Sequence, residues 1–284
     1  MSELSIIKFN AEYFSVEDTL ICGQVFRFTP HKKGYKIFTA DKCAYVYNEG
    51  ISAVIECEKE DEEYFYNYFD LTRDYSKIYS SAICENVEIL TLAAKAGKGI
   101  RLLNQNLEET LFSFIVSQNN NIPRIKGIIE KLCAALGEKK TFLGEEYYTF
   151  PTAKKMAEKD ETFYKSLGLG YRAEYIRRLA ESIKNGLDIN NFSQLSTKEL
   201  KSELVKIHGV GRKVADCVSL FGYRRGDSFP VDTWIDKVYR EDFKGTNTDR
   251  EKIADELTAR FKENAGYYQQ YLFHYKRKIE NLSK

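Results

Sequence analysis

The hydrophobic pattern of this chain changes its period along the sequence, and this change limits the folds that it can adopt. Before about residue 57, short β-prone segments are separated by turn residues, which predicts an antiparallel meander. After about residue 85, apolar residues recur at helical spacing. We therefore predict an α+β fold, with an N-terminal antiparallel β-sheet domain over residues 1–90 and an all-helical domain over residues 91–284. The predicted strands are Gln24–Thr29, Tyr35–Thr39, Cys43–Tyr47 and Ile51–Glu56.

Several segments of the second part have the apolar spacing that is typical of amphipathic helices. They are Leu107–Ser117, Pro123–Leu136, Arg172–Lys184, Ser196–Ile207, Arg212–Phe221, Thr233–Asp242, Thr248–Lys262 and Gly266–Ile279. Ser196 and Thr248 are each followed three residues later by a glutamate, which is the spacing of a capping box. Both residues are therefore predicted to cap helices.

The composition excludes several classes of protein. The sequence contains no run of about 20 apolar residues and does not start with a secretory signal, so we expect an intracellular protein that does not span a membrane. Its six cysteines lie far apart, with no C-x-x-C pair and none after Cys217, which predicts free thiols and no iron-sulfur cluster. The net charge is only +1, so any site for a polyanion must be local.

The most informative segment is residues 204–217, with the sequence LVKIHGVGRKVADC. It predicts a hairpin of two helices over about residues 204–221. Gly209 and Gly211 allow backbone angles closed to other residues, and their lack of side chains lets a phosphate approach the N–H groups around Val210 and the second helix. The turn is therefore predicted to bind a DNA phosphate. A helix cap followed by an amphipathic helix would require similar residues.

This hairpin, followed by FPVD at residues 229–232, resembles the helix-hairpin-helix DNA glycosylases, and within them the 8-oxoguanine DNA glycosylase family. Similar motifs occur in the same order in that family: CGQVFRF at residues 22–28, SQNNNIPR at 117–124 and LGLGYR at 167–172. The resemblance implies a bifunctional enzyme of base excision repair. Such an enzyme removes 8-oxoguanine from duplex DNA and cleaves the strand by β-elimination.

Two residues are candidates for the chemistry. A lysine nucleophile needs a pKa below its usual value of about 10.4, and a helix N-terminus or burial can lower it. Lys213 lies in the first turn of a predicted helix, and the resemblance implies that it attacks C1′ and forms a Schiff base. Asp232 precedes another helix, where it can act as an N-cap. The resemblance adds an electrostatic role opposite the charge that develops on the sugar.

The lesion base needs its own pocket. 8-Oxoguanine carries a hydrogen at N7, where guanine has an acceptor, so a close backbone carbonyl can distinguish them. The resemblance assigns this carbonyl to Gly23, at the mouth of the first predicted strand, and places Cys217 against the base. Gln269 and Phe273 supply an amide and an aromatic face. From the residues alone, structural interpretations remain open. Gly23 can be a glycine at the start of a strand, Cys217 a small core residue, and the segment with Gln269 and Phe273 an aromatic-rich core helix.

A second group of residues would face the opposite strand. Asn119, Arg124, Tyr171 and Arg172 match the family residues that fill the hole left by the extruded base and donate to the orphan cytosine. Otherwise, the asparagines would form a turn and the arginines a solvated helix face. One departure is Trp234, which stands where relatives often carry a histidine that contacts a phosphate. An indole N–H donates but cannot accept, so this contact is predicted to be altered.

The resemblance implies no organic cofactor and no catalytic metal, although a structural monovalent cation can be held by the hairpin carbonyls. The expected partner is double-stranded DNA containing oxidised guanine. We expect the protein to be a monomer and not to bind a membrane. Two other functions remain to be weighed. A monofunctional alkyl-base glycosylase would leave Lys213 without a role, and a non-catalytic helix-hairpin-helix DNA-binding protein would leave the pocket motifs unexplained.

Overall fold

The computed structural model describes residues 3–282, and side chains over residues 3–279. It confirms the predicted fold class, because a five-stranded antiparallel sheet precedes a mainly helical part. The sheet has the order β1-β5-β4-β3-β2. Its strands are β1 Leu4–Asn10, β2 Phe28–His31, β3 Gly34–Thr39, β4 Lys42–Glu49 and β5 Ser52–Glu58.

Two differences from the predicted meander lie at its edges. β1 was not predicted; it pairs with β5 along its length and is an edge strand whose outer face is exposed. The prediction of a strand from Gln24 was wrong at its start, because β2 begins only at Phe28. Gln24 is buried, and its amide bonds to the backbone of Thr19, Arg101 and Leu103 instead of lying in a sheet.

The helices confirm the predicted periodicity in the second part of the chain. The described helices are α1 Val16–Ile21, α2 Glu62–Tyr68, α3 Tyr75–Cys84, α4 Glu88–Ala96, α5 Leu107–Ser117, α6 Ile122–Leu136, α7 Ala153–Met156, α8 Glu161–Ser166, α9 Arg172–Lys184, α10 Thr197–Leu204, α11 Arg212–Phe221, α12 Thr233–Glu241, α13 Arg250–Phe261 and α14 Ala265–Leu282. A small hairpin, β6 Lys139–Phe142 and β7 Glu145–Tyr148, was not predicted.

The two capping predictions have different outcomes. Ser196 caps α10 in a complete capping box with Glu199, as predicted. The prediction for Thr248 was wrong, because Asp249 caps α13 and its side chain accepts from the Glu251 N–H. Aspartate is a strong N-cap residue, so the helix starts one residue later than the spacing indicated.

Two hydrophobic clusters form most of the core. One lies under the sheet, and the larger one joins the helices, including α4 packed on α14. A buried ion pair ties the sheet side to α5, since Arg27 Nη1 lies 3.6 Å from Glu109 Oε1. Burial raises the pKa of Glu109, against the opposing charge of Arg27. The proposed domain boundary at residue 90 stays a prediction.

Among the helices of residues 3–282, none combines the length and apolar character that a bilayer crossing requires. All six cysteines carry free thiols, and Cys84 alone is exposed.

Candidate active site

A cleft of about 1150 Å³ opens where the N-terminal ends of α6, α11 and α12 approach the C-terminal part of α14. Predicted site residues that line it are Gly23, Asn119, Arg124, Gly211, Lys213, Asp232 and Phe273. The other predicted residues do not line the cleft but contact or adjoin residues next to it, namely Tyr171, Arg172, Gly209, Val210, Cys217 and Gln269. The fold thus collects residues separated by 250 positions into one concave site.

Lys213 lies in the first turn of α11 and lines the cleft. Its Nζ lies 5.4 Å from the centroid of the Phe114 ring, and it forms no ion pair with a carboxylate among the side chains of residues 3–279. One turn further along α11, burial raises the pKa of the Cys217 thiol to about 11, although the Lys213 ammonium opposes this. Cys217 is therefore a protonated, buried thiol beside the lysine.

Asp232 is the N-cap of α12 and lines the same cleft. Its Oδ1 accepts from the N–H groups of Trp234 and Ile235, each at 3.0 Å. Burial raises the pKa of Asp232, while these two hydrogen bonds and the charge of Lys213 act in the opposite direction. One oxygen caps the helix, so the same residue can present negative charge to the cleft and hold α12 in place.

Gly23 and Phe273 meet at the other end of the cleft. Gly23 has φ +84°, and a Cβ there would lie 2.9 Å from Phe273 Cε1. Both the backbone conformation and the neighbouring ring therefore require glycine. The predicted location at the mouth of the first strand was wrong, because Gly23 follows α1 and lies before β2.

Gln269 is close to this pocket but is engaged within the protein. Its side chain is buried, and Nε2 donates to the Pro230 carbonyl at 3.2 Å. Its Oε1 accepts from Gln270 Nε2 at 2.8 Å. These two hydrogen bonds orient the Gln269 amide and leave one N–H donor and one lone pair of Oε1 for a base edge.

The four residues predicted to face the opposite strand form one cluster. Asn119 Nδ2 donates to Tyr171 Oη at 3.3 Å, and Arg124 Nη2 donates to the Gly168 carbonyl at 3.2 Å. Tyr171 and Arg124 are exposed. Arg172 differs, because it is buried and donates to the carbonyls of Gln118, Asn119 and Leu169. Its guanidinium holds the loop rather than projecting toward DNA.

The hairpin turn confirms the predicted backbone conformation at Gly209 but not at Gly211, which has φ −86° and ψ 173°, an extended conformation that other residues also adopt. Gly209 has φ +85°, and a Cβ there would lie 2.3 Å from Tyr175 Cγ. No atom lies within 4 Å of the corresponding point on Gly211, so that backbone is open to a ligand. Val210 is buried, and its N–H donates to the Ile207 carbonyl at 2.9 Å. The Val210 amide is therefore used within the turn, which leaves Gly211 as the more accessible position.

The basic residue next to this turn is neutralised by carboxylates. Arg212 Nε lies 3.1 Å from Asp216 Oδ2, and its Nη2 lies 2.6 Å from Asp255 Oδ1. Lys201 of α10 also pairs with Asp216, at 2.8 Å. Burial raises the pKa of Asp216, against the charges of both cations. The network joins α10, α11 and α13 beneath the cleft.

Some site residues were missed from the sequence. Gln118 links two parts of the site, since its Nε2 donates to the Gly209 carbonyl at 2.9 Å and its own carbonyl accepts from Arg172. Arg250 and Arg277 both line the cleft. Arg277 could have been found, because it follows Phe273 by four residues and therefore lies on the same face of α14.

Comparison with known proteins agrees with this arrangement. Residues 6–111 match the family model described as the N-terminal domain of 8-oxoguanine DNA glycosylase. Residues 112–263 match the model described as the HhH-GPD superfamily base excision DNA repair protein. The two matches follow one another along the chain, and the second includes the hairpin, Lys213 and Asp232. Fold and site together thus define the class of helix-hairpin-helix base excision repair proteins.

Individual relatives give a narrower assignment. A probable N-glycosylase/DNA lyase from Methanothermobacter thermautotrophicus is 30% identical, over 76% of this chain and 75% of the relative. The N-glycosylase/DNA lyase of Saccharomyces cerevisiae is 31% identical, over 68% of this chain and 54% of the relative. The Clostridium acetobutylicum 8-oxoguanine glycosylase/lyase, solved with dsDNA containing cytosine opposite to 8-oxoG, has a TM-score of 0.92 and 35% identity, covering 99% of this chain and 98% of that one. The chain belongs to the 8-oxoguanine DNA glycosylase family, which confirms the resemblance inferred from the motifs.

Proposed function

We propose that this protein is a bifunctional DNA glycosylase that removes 8-oxoguanine from duplex DNA and cleaves the strand at the abasic site that results. One observation carries the proposal: Lys213 and Asp232, at the N-terminal ends of two helices, line the same cleft. Relatives named N-glycosylase/DNA lyase support both activities, and the complex solved for the Clostridium relative supports the lesion.

The chemistry follows from the amine of Lys213. Its neutral form attacks C1′ while the bond between C1′ and the base nitrogen breaks, and the base leaves with the bonding electron pair. The attacking nitrogen gives up a proton to the departing base, the sugar ring opens as O4′ takes up a proton from water, and a protonated Schiff base joins Nζ to C1′. Removal of a proton from C2′ then expels the 3′ phosphate by β-elimination. Water finally hydrolyses the Schiff base and releases the lysine.

Asp232 would stabilise the charge that develops during these reaction steps. Positive charge develops on the sugar as the base departs, and a fixed carboxylate at the cleft stabilises it. The two backbone hydrogen bonds to Oδ1 keep the carboxylate in place, so little reorganisation is needed during the reaction.

The two other functions fit the site less well. A monofunctional alkyl-base glycosylase would activate water and would have no use for a lysine that lines the cleft without a carboxylate partner. A non-catalytic DNA-binding module would need the hairpin but neither Asp232 nor the close packing of Gly23 against Phe273 at the cleft.

Borohydride trapping separates all three functions. The protein is incubated with a duplex containing 8-oxoguanine opposite cytosine, with or without borohydride, and an undamaged duplex serves as the control. We expect a covalent complex only with the damaged duplex and only with reductant. Base release without trapping would indicate the monofunctional enzyme, and binding without release would indicate the non-catalytic module.

We also expect binding to depend strongly on salt, because phosphate contacts release counterions. About three such contacts around Gly211 and the neighbouring basic residues would give a slope of about −3 in a plot of log K against log salt. Arg250→Ala removes a basic residue that lines the cleft and should make the slope shallower by about 1, whereas Lys154→Ala, at an exposed position outside the cleft, should not. Affinity for the lesion duplex, measured at several salt concentrations, checks this, and a salt-independent K would contradict it.

We further expect cytosine to be the preferred partner of the lesion. Since the donors of Arg172 are held by three carbonyls, the preference rests mainly on Arg124. A hydrogen bond from a charged donor contributes ~1.5 to 3 kcal/mol, so its loss opposite adenine should slow excision by about tenfold or more. Single-turnover excision opposite each of the four bases checks this in the parent, Arg124→Ala and Arg178→Ala, the last being an exposed control on α9. Equal parent rates on all four duplexes would remove Arg124 from this role.

Several further features are proposals. The hairpin turn, residues 205–211, offers backbone carbonyls and no carboxylate, which suits a monovalent cation better than a divalent one. A bound cation there would hold the turn and add positive charge near a DNA phosphate. We infer that the protein acts as a monomer, inside the cell where its DNA substrate is found, and that it needs no organic cofactor, catalytic metal or iron-sulfur cluster.

A further inference from the structure

Arg277, on helix α14, places a guanidinium at the Gly23 end of the cleft. Nη1 donates to the Ile21 carbonyl at 3.1 Å, and the guanidinium carbon lies 5.2 Å from the centroid of the Phe273 ring. Nη1 also lies 3.5 Å from the point where a Cβ on Gly23 would stand. Arg277 is therefore a direct neighbour of the two residues expected to contact the lesion base.

The charge of Arg277 is not matched by an ion pair. Arg212 and Arg250, which also line the cleft, each pair with a carboxylate, but Arg277 pairs with none among the side chains described for residues 3–279. Burial lowers the pKa of Arg277, although the negative charge of Asp232 opposes this shift. A guanidinium has five N–H donors, and the Ile21 carbonyl uses one of them. A partly buried cation with unused donors is suited to an acceptor that enters the cleft.

The lesion supplies such an acceptor. 8-Oxoguanine differs from guanine at two adjacent positions, since N7 gains a hydrogen and C8 carries an oxygen in place of a hydrogen. Recognition of N7–H needs an acceptor, as proposed for the Gly23 carbonyl, and recognition of O8 needs a donor beside it. When the base leaves with the bonding electrons, part of the negative charge is delocalised onto O8. A cation next to O8 therefore becomes more favourable as the bond breaks.

We propose that Arg277 donates a hydrogen bond to O8 of the extruded base and stabilises the charge that O8 gains as the base departs. The inference rests on the proposed function and adds a specificity contact to it. Nη1 can keep its hydrogen bond to the Ile21 carbonyl while Nη2 or Nε donates to O8. Normal guanine presents C8–H at this position, so it would leave the guanidinium without its partner and would gain no charge stabilisation there.

The test is a double-substitution cycle, in which residue 277 of the protein and the atom bonded to C8 of the base are changed separately and together, and base release is compared. The second lesion is 8-thioxoguanine, which keeps N7–H and replaces O8 with sulfur, a weaker acceptor. Base release under single-turnover conditions is measured for both lesions with the parent and Arg277→Met. Arg277→Met should slow release of 8-oxoguanine by about tenfold to a hundredfold and release of 8-thioxoguanine by less than about threefold. The affinities for non-cleavable 2′-fluoro duplexes of both lesions give the same cycle without turnover.

Two controls separate this contact from other effects. A preformed abasic duplex contains no lesion base, so Arg277→Met should cleave it at a rate within about twofold of the parent rate. Lys278→Met removes a charge from an exposed neighbouring position and should leave both lesions unaffected. If Arg277→Met also loses abasic cleavage, Arg277→Lys, which keeps the charge, enters the same cycle.

The outcomes are distinct. Equal slowing of both lesions would mean that Arg277 only holds the Ile21 segment, and an unchanged rate would mean that it has no role, so either result overturns the proposal. If the parent released neither base yet cleaved abasic duplexes, the proposed 8-oxoguanine substrate would fail instead.

Discussion

Replacing Lys213 with glutamine should abolish borohydride trapping and slow base release by about 10⁴-fold or more, while lesion binding changes only a few-fold. The substitution removes the amine and keeps a neutral side chain of similar length. Stability should change little, because Lys213 forms no ion pair with a described carboxylate and contacts the Phe114 ring and the neutral Cys217 thiol. Trapping yield, single-turnover base release and the affinity for a 2′-fluoro lesion duplex measure the three quantities.

Lys198→Gln is the matched control, because it makes the same change at an exposed position on α10. It should trap as the parent does. Undiminished trapping by Lys213→Gln would place the nucleophile elsewhere, and loss of lesion binding together with activity would point to a structural role.

Asp232→Asn should slow base release by about 10² to 10³-fold, the range found when one preorganised electrostatic group is removed. Asparagine is as good an N-cap as aspartate, so its side-chain oxygen can still accept from Trp234 and Ile235 and the unfolding temperature should hold. Asp232→Ala loses the cap as well, which should cost about 1 kcal/mol of stability. Single-turnover rates and thermal unfolding of the three proteins separate charge from capping. Equal rates for Asp232→Asn and the parent would contradict the electrostatic role.

The pH profile provides an independent check on the same carboxylate. Burial raises the pKa of Asp232, so it takes up a proton at a higher pH than an ordinary aspartic acid does. Since the charged form is the active one, base release by the parent should fall as pH is lowered through this raised pKa. Asp232→Asn should lack this acidic limb. An unchanged limb in the variant would assign it to another group.

The sequence was most informative where its patterns are long. Helices α5, α9 and α11 begin and end as predicted, because each shows a clear helical period over about three turns. Helices α1, α2, α7 and α8 were missed, since four to seven residues make fewer than two full turns, and the longer helices α3 and α4 were missed as well. Strand β1 was missed for a different reason, because its apolar residues lie on both faces and do not alternate with polar ones.

The site shows a similar division. The family motifs placed Lys213 and Asp232, which the fold then brings to one cleft, but no motif could show that Arg172 and Gln269 form hydrogen bonds within the protein. Their partners lie 54 and 39 positions away along the chain, so these hydrogen bonds depend on tertiary structure. The roles assigned to the pocket and to the opposite-strand residues therefore stay predictions.

Gln118 constrains how such an enzyme can diverge. Its side chain holds the carbonyl of Gly209 in the hairpin, and its own carbonyl holds Arg172 next to the opposite-strand cluster. A substitution that altered the side chain would loosen the hairpin and disturb the loop whose carbonyl anchors the arginine. Lineages that relax the preference for the base opposite the lesion should therefore change peripheral positions such as Arg124 first and retain Gln118. Phosphate binding by the hairpin can then persist while the preference for the opposite base changes.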